Sequence, residues 1–219
     1  MEDKVGQSRG FAGVYNALRE TVLAGRVAPG AQIRVNEAAA SLGLSATPVR
    51  EALSRLVGEG LLEDRPRLGF FVPLPTAYDL VDLLGLAELH LTAALGATGQ
   101  ATKPIEHWRE NDEAYEATTG GDAAARIFVR VLARSNNFAL IDAGRRVVDR
   151  LAPLRRAESM LFIDSAEELR GLDDQLHQQS FPQLRSGLKA YHRRRRSHAG
   201  ELAYLISKLG SLNNIPDIV

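Results

Sequence analysis

Arginine is the residue type in this chain best placed to engage a partner. Arg65 and Arg67 flank Pro66 in the run Asp64-Arg65-Pro66-Arg67-Leu68-Gly69. A basic tip that also carries a turn-forming Pro and a Gly suits contact with an anion. Glycine lets backbone come close to a phosphate, and a guanidinium fits a narrow groove of negative potential. A denser run, Arg193-Arg194-Arg195-Arg196, lies near the C-terminus. Four successive helical residues point around most of the circumference, so this run reads as a solvated surface rather than one flat anion-binding stripe. Arg126, Arg130 and Arg134 recur every four residues. That spacing offers charge to an acid or forms a solvated helix face. His177, His192 and His198 carry imidazoles, for which surface or pocket-wall histidine is the plainer reading, and His107-Trp108 reads as packing.

Bulk composition removes several classes. With 45% hydrophobic and 25% charged residues in 219, the chain has the make-up of a globular protein with a real core. The absence of Cys excludes a disulfide framework and thiolate metal sites, and it suits a reducing cytoplasm. No run of about 18 apolar residues is present, so no spanning helix is expected. Met1 to Gly10 is polar, lacks a signal-peptide apolar stretch, and reads as a short disordered arm. Lys plus Arg equals Asp plus Glu at 27 each, which argues against a binder driven by bulk positive charge. A local patch can still hold phosphates. No nucleophile elbow, phosphate loop or paired-carboxylate motif supports catalysis.

The elements that must position these side chains can be read from periodicity. Val14, Ala17, Leu18 and Val22 predict an amphipathic helix over 11–25, stopped at Gly25. Pro29-Gly30 makes a turn, and 32–35 is a short extended piece. A second helix is predicted from Asn36, as N-cap, to Leu42, ending at Gly43. Leu44 plugs the turn beneath it. A third helix is capped by Ser45 or Thr47, has Pro48 in its first turn, buries Val49, Ala52, Leu53 and Leu56, and ends at Gly58 or Gly60. Two short helices joined by a tight turn have the size of a helix-turn-helix. Leu61-Leu62-Glu63 and Phe70-Phe71-Val72 then read as strands flanking the basic tip.

Several motifs occur in order: Val27-Ala28-Pro29-Gly30, Leu44-Ser45-Ala46-Thr47-Pro48-Val49-Arg50-Glu51-Ala52-Leu53, Leu56-Val57-Gly58-Glu59-Gly60-Leu61 and Gly69-Phe70-Phe71-Val72. Over roughly residues 11 to 73 the chain resembles the GntR family of transcription regulators. The resemblance implies a winged helix-turn-helix that contacts DNA through Asn36, Ser45, Thr47 and Arg50, and through a wing bearing Arg65, Arg67 and Gly69. Arg50 is the implied base reader, because a guanidinium bonds guanine O6 and N7 together. Ser45 and Thr47 hydroxyls, with the free N–H groups of a helix start, suit phosphate. Each residue also has a plainer role: Arg50 and Arg55 as solvated charges, Ser45 and Thr47 as helix caps, Arg65 and Arg67 as solubilising groups. Many members have Arg where this chain has Ala46, and a charged residue where it has Asn36. Those departures weaken phosphate contact or shift sequence preference.

Pro73-Leu74-Pro75 breaks the pattern, giving domains at 11–75 and 76–219 after the arm at 1–10. Beyond the break the reading is helical. One helix carries Leu80 to Leu95, and a weaker one spans 105–117, ended by Gly120-Gly121. Asp122 caps a helix with Ile127, Phe128, Val131 and Leu132. Later helices span 139–161 with a kink at Pro153, 165–181, and 183–209. The fold class is therefore mostly α, a winged head followed by an all-α bundle. This layout resembles the FadR-type effector domain, often called FCD, which binds a small ligand and supports a dimer. Many such domains hold a divalent metal with one Asp and three His. The family's Asp-x-x-Phe-His segment falls on Ala125-Arg126-Ile127-Phe128-Val129, so Ala125 and Val129 replace two ligands. No cofactor is expected, and a metal is disfavoured. Phe128, Val129, Arg130, His177 and His198 are the candidate effector-pocket residues.

The expectation is a cytoplasmic homodimeric regulator, a repressor. It would bind a palindromic double-stranded operator, with no membrane contact, under control of a small effector that is an organic acid or an apolar molecule. Two alternatives stand beside it. One is an architectural or constitutive DNA-binding protein with a degenerate, ligand-free pocket. The other is an enzyme whose head only docks.

Overall fold

The computed structural model describes residues 11–96 and 122–212. The arm at 1–10, the helix expected over 105–117, the Gly120-Gly121 stop and His107-Trp108 lie outside the described residues. Two compact units divide the chain, one running to Leu74 and joined by residues from Ser207 on, the other from Pro75 to Ile206.

In the first unit, α1 (Phe11–Leu23) is followed by β1 (Gln32–Ile33), α2 (Val35–Leu42), α3 (Ala46–Gly58), β2 (Glu63–Arg65) and β3 (Gly69–Phe71). Helix α1 packs on α3, and Val14, Leu18 and Val22 meet the stripe Val49, Ala52, Leu53 and Leu56 to form the core. Burial of such apolar stripes supplies most of a short helix's stability. Gly43 closes α2 in the left-handed region at φ 64°, which a side chain would resist, and Leu44 donates its N–H to Ala39 O at 2.9 Å. That tight closure turns the chain into α3.

The three strands form an antiparallel sheet in the order β1-β3-β2, with Gln32 opposite Phe71 and Arg65 opposite Gly69. The first wing strand is Glu63–Arg65, two residues later than the apolar run suggested. Gly60 reverses the chain at φ 75°, and Leu61 then bonds back to Leu56 O at 3.0 Å. Leu61 and Leu62 are thus core plugs under α3 and not ladder residues. The start of α2 also differs from expectation: its N-cap is Arg34, and Asn36 stands inside the first turn. Arg34 takes that place because its carbonyl accepts from Ala38 N at 3.0 Å, and its guanidinium pairs with Glu37 at 2.8 Å.

In the second unit, α4 (Ala77–Gly96) is followed among the described residues by α5 (Ala123–Ala133), α6 (Phe138–Arg150), α7 (Ala152–Glu158), α8 (Ser165–His177) and α9 (Phe181–Ser197). Helix α10 (Ala199–Leu212) is the last described element. The core gathers Leu91 and Leu95 of α4, Ala125, Phe128 and Leu132 of α5, Ile141 and Val148 of α6, and Leu184, Leu188 and Tyr191 of α9. Asp122 caps α5 by accepting from Ala125 N at 3.0 Å, and Asn137 caps α6 by accepting from Leu140 N at 3.1 Å.

Two helices expected to be continuous are divided. The segment 139–161 breaks at Leu151, because Pro153 enters the first turn of α7 and lacks the N–H a continuous helix needs. The segment 183–209 breaks at His198. There Ser197 Oγ and His198 Nδ1 both donate to the Arg194 carbonyl, at 2.8 and 2.9 Å, and the His198 N–H turns to Arg195 O. Side-chain donors competing for a helix carbonyl end the ladder. The segment 165–181 likewise stops at His177, with Gln179 at φ 55° turning into α9.

Candidate nucleic-acid interface

Helix α3 opens at Ser45, whose backbone is extended and whose hydroxyl makes no cap bond. The first N–H groups of a helix have no partner inside it, and the dipole makes that end electropositive. Ser45, Thr47 and Arg50 are all exposed there, while Val49 between them is fully buried. Buried Val49 and Leu53 fix the helix's rotation, and Arg50 is thereby held outward.

An open recess of about 600 Å³ lies between this helix, the start of α2 and the wing. Asn36, Arg50, Arg67 and Gly69 line it together, so four predicted DNA-facing residues from three separate stretches converge. Arg34 and Gln32 line it as well, and sequence reasoning did not single them out. Their place follows from the pairing of β1 with the wing strand β3, whereas the sequence marked 32–35 only as a short extended piece. Glu37 and Asp64 bring negative charge, but Glu37 is taken up by Arg34. Arg50 and Arg67 enter none of the ion pairs found among the described residues, which leaves both guanidinium groups available to an outside anion.

The two wing arginines play different parts. Arg65 belongs to β2, donates twice to Glu63 at 2.9 and 3.1 Å, and stacks 4.3 Å over the Phe71 ring. It braces the hairpin. Arg67 projects at the tip and is exposed. Its φ is 67°, uncommon for a residue with a side chain. At the far end of α3, Arg55 stacks 4.2 Å over Tyr15 and reaches Glu59 at 3.3 Å, while the Tyr15 hydroxyl donates to Glu59 at 2.7 Å. Burial first, and Glu59 second, push the Tyr15 phenol up. Arg55 therefore ties α1 to α3 instead of facing a duplex.

In the helical unit the predicted pocket residues separate. Phe128 and Val129 are buried in the core. Arg130 and His177 meet at the rim of α5 and α8: Arg130 donates to Asp173 at 2.7 Å and approaches His177 Nε2 at 3.3 Å. His198 packs edge-on against Phe162, with ring centres 5.4 Å apart. Ala125 and Val129 are both buried and present no ligand atom, so these two positions do not fit the metal that the resemblance implied. Among the described residues no three His, Asp or Glu side chains are grouped to hold a metal ion.

The arginine run at 193–196 is a solvated surface only in part: Arg193 is exposed, but its neighbours are paired or buried. Arg195 is fully buried: its Nε donates to Glu158 at 2.7 Å, its Nη1 donates to Glu168 at 2.7 Å, and its guanidinium lies 3.3 Å over Tyr191. Arg194 is paired with Asp164 and Arg196 with Glu88. The clue was in the spacing, because Leu184, Leu188, Tyr191 and Arg195 form one helical stripe that continues the apolar face. His192 is buried beside Phe128, with ring centres 5.5 Å apart. Its Nδ1 donates to Leu188 O at 2.7 Å, and burial, reinforced by Arg195, Arg196 and Arg155, pushes the ring down to about 4. Burial also raises the Glu158 carboxyl, against the pull of Arg195.

No helix among the described residues is long and apolar enough to cross a membrane. A family model described as bacterial regulatory proteins, gntR family, matches residues 12–72. The chain is 35% identical over 153 residues to the probable D-xylose utilization operon transcriptional repressor of Paenarthrobacter nicotinovorans, across 66% of this chain and 68% of that protein. It is 29% identical over 206 residues to an uncharacterized HTH-type transcriptional regulator in an unstable DNA locus of Streptomyces ambofaciens, across 86% and 87% of the two chains. Among solved structures, a putative transcriptional regulator from a Rhodococcus species matches with a TM-score of 0.65 at 21% identity, over 86% of this chain and 96% of that one.

Proposed function

The chain belongs to the gntR family of bacterial regulatory proteins, DNA-binding transcription regulators, and from that premise we propose that it is an operator-binding repressor acting as a homodimer in the cytoplasm. The observation that carries the reading is the recess shared by Arg50 at the uncapped start of α3 and Arg67 at the wing tip. Arg50 reads a base edge in the major groove while Arg67 follows the adjacent minor groove, and Ser45 and Thr47 hold phosphate. Two such heads on a two-fold dimer read a short inverted repeat.

A second copy of the chain is the partner that α4 suits. That helix carries large apolar side chains on its outer side beside Asp79 and Asp82, with Tyr78 85% and Leu89 62% exposed and Val81 and Leu86 also open. Large apolar side chains left open on one helix are surface that a second copy would cover. The effector reading places a small organic acid or apolar molecule in the helical unit, with no metal, where it shifts the population of DNA-competent dimers. A constitutive regulator is the second reading, favoured by the close filling around Phe128, Leu132, Leu184 and Tyr191, all buried.

Selection of bound duplexes from a random pool with the full chain, followed by sedimentation of the complex, tests the assignment. An enriched inverted repeat carrying two chains is expected. No enriched sequence, or one chain on an asymmetric site, would overturn it. Titrating a panel of small organic and fatty acids into the complex then separates the two readings: released DNA supports an effector, and unchanged affinity throughout supports the constitutive protein.

A further inference from the structure

The wing tip is a tight turn closed by Leu68 N–H donating to Arg65 O at 2.9 Å, with Pro66 and Arg67 in its centre. Pro supplies the fixed φ that the first central position wants, but the second central position is left-handed, which favours Gly or Asn. Arg67 occupies it at φ 67°. A residue with a Cβ holds that conformation only where its surroundings enforce it, and such positions concentrate at functional sites.

The enforcing contact comes from outside the hairpin. Gln32, on β1, sends its amide Nε2 to the carbonyl of Leu68 at 2.5 Å. Gln32 is fixed at its own end by pairing opposite Phe71 in the central strand. The next residue, Gly69, has φ 95°, and a Cβ placed there would stand 3.5 Å from the same amide nitrogen. Gln32 is exposed and pairs with no charge, so its one described side-chain bond is to the tip. Gln32, Arg67 and Leu68 line the same recess as Arg50.

We propose that Gln32 is a positioning residue for DNA binding: its amide holds the wing turn so that Arg67 is pre-set to enter the minor groove while Arg50 reads the neighbouring major groove. The proposal rests on the operator-binding reading above. The residue it adds acts through Arg67.

The test uses the full chain and its selected duplex, with wild type, Gln32→Leu, Arg67→Ala and the double variant. Affinity is measured against salt, minor-groove protection by hydroxyl-radical footprinting, and stability by thermal melting. Gln32→Leu is expected to melt like wild type and keep the same major-groove sequence preference. It should lose protection at the minor-groove flank and bind about tenfold more weakly. Its salt slope should flatten toward that of Arg67→Ala, a loss of about 0.9 per phosphate contact removed. The double variant should bind no more weakly than Arg67→Ala, since both changes remove one action. Gln32→Asn, whose shorter amide keeps the donor, should recover part of the flank protection. Wild-type footprint and affinity in Gln32→Leu would overturn the proposal, as would full additivity in the double variant or a loss of affinity that only follows a loss of melting temperature. These failures differ from failure of the operator reading itself, in which the wild-type chain selects no duplex.

Discussion

Replacing Arg195 by methionine removes the cation from a carboxylate that is almost entirely buried. Arg195 is fully buried, Glu158 is 3% exposed, and the two meet at 2.7 Å. Coulomb attraction between charge centres about 4 Å apart, at an effective dielectric near 20, is roughly 4 kcal/mol. Breaking one side of a buried pair costs about 3–5 kcal/mol, because the remaining charge stays desolvated. Two features set the expectation at the lower end. Tyr191 still donates to both Glu158 oxygens, at 3.1 and 3.2 Å, and Glu168, at 20% side-chain exposure, can turn toward solvent. The expected loss in Arg195→Met is therefore about 3 kcal/mol, against a typical domain stability of about 5–15 kcal/mol. Urea unfolding followed by helical circular dichroism reads it directly. The pair Arg195→Met with Glu158→Leu should recover most of the loss, since an apolar pair of similar volume replaces a buried ion pair at little cost. Without its arginine, the Glu158 carboxyl moves further above its unfolded-chain value, so the deficit of the single variant should shrink as pH falls. A single variant within about 1 kcal/mol of wild type, or a double variant as unstable as the sum of the two single ones, would refute the reasoning.

Two further outcomes follow from the same unit. A Cβ at Gly144 would stand 2.6 and 2.7 Å from the two methyl carbons of Leu132, itself fully buried, so Gly144→Ala should lower stability by about 1–2 kcal/mol. The clash outweighs the roughly 1 kcal/mol that alanine gains over glycine within a helix, and an unchanged or raised melting temperature would count against this packing. His192, pushed down to about 4 from an ordinary value near 6.5, contributes stability that is complete above pH 6.5 and lost as pH falls toward 4. The full swing is roughly 3 kcal/mol, and His192→Phe should flatten the pH dependence of unfolding across that window. An identical slope in the variant would show that another group carries the effect.

The head was legible because its local signals agree. Gly43 needs a left-handed turn, Pro48 tolerates only a first helical turn, and Val49 with Leu53 fixes which side Arg50 faces. What escaped was set by contacts distant in sequence. Leu61 and Leu62 look like strand residues, yet the Gly60 reversal carries them under α3 as core. Arg34 displaced Asn36 as the start of α2 through its bond to Ala38 and its pair with Glu37. In the bundle, the Arg195 charge outvoted its place on the apolar stripe, because a buried arginine makes sense only once Glu158 and Tyr191 are known to face it. The break at His198 depends on side-chain donors that compete for the Arg194 carbonyl. Of the residues expected to line one pocket, Arg130 and His177 meet at the rim, whereas Phe128 and Val129 lie in the core.

The most direct test of the central claim is the affinity of wild type and Arg50→Ala for the selected duplex and for a scrambled one of the same length, at a fixed salt concentration. Arg50 reading one base edge predicts that the variant loses about 1–3 kcal/mol on the selected duplex, roughly 5- to 150-fold, with little change on the scrambled one and with preference relaxed at a single base position. Equal weakening on both duplexes, or no weakening on either, contradicts the account of Arg50 as the side chain that reads the operator.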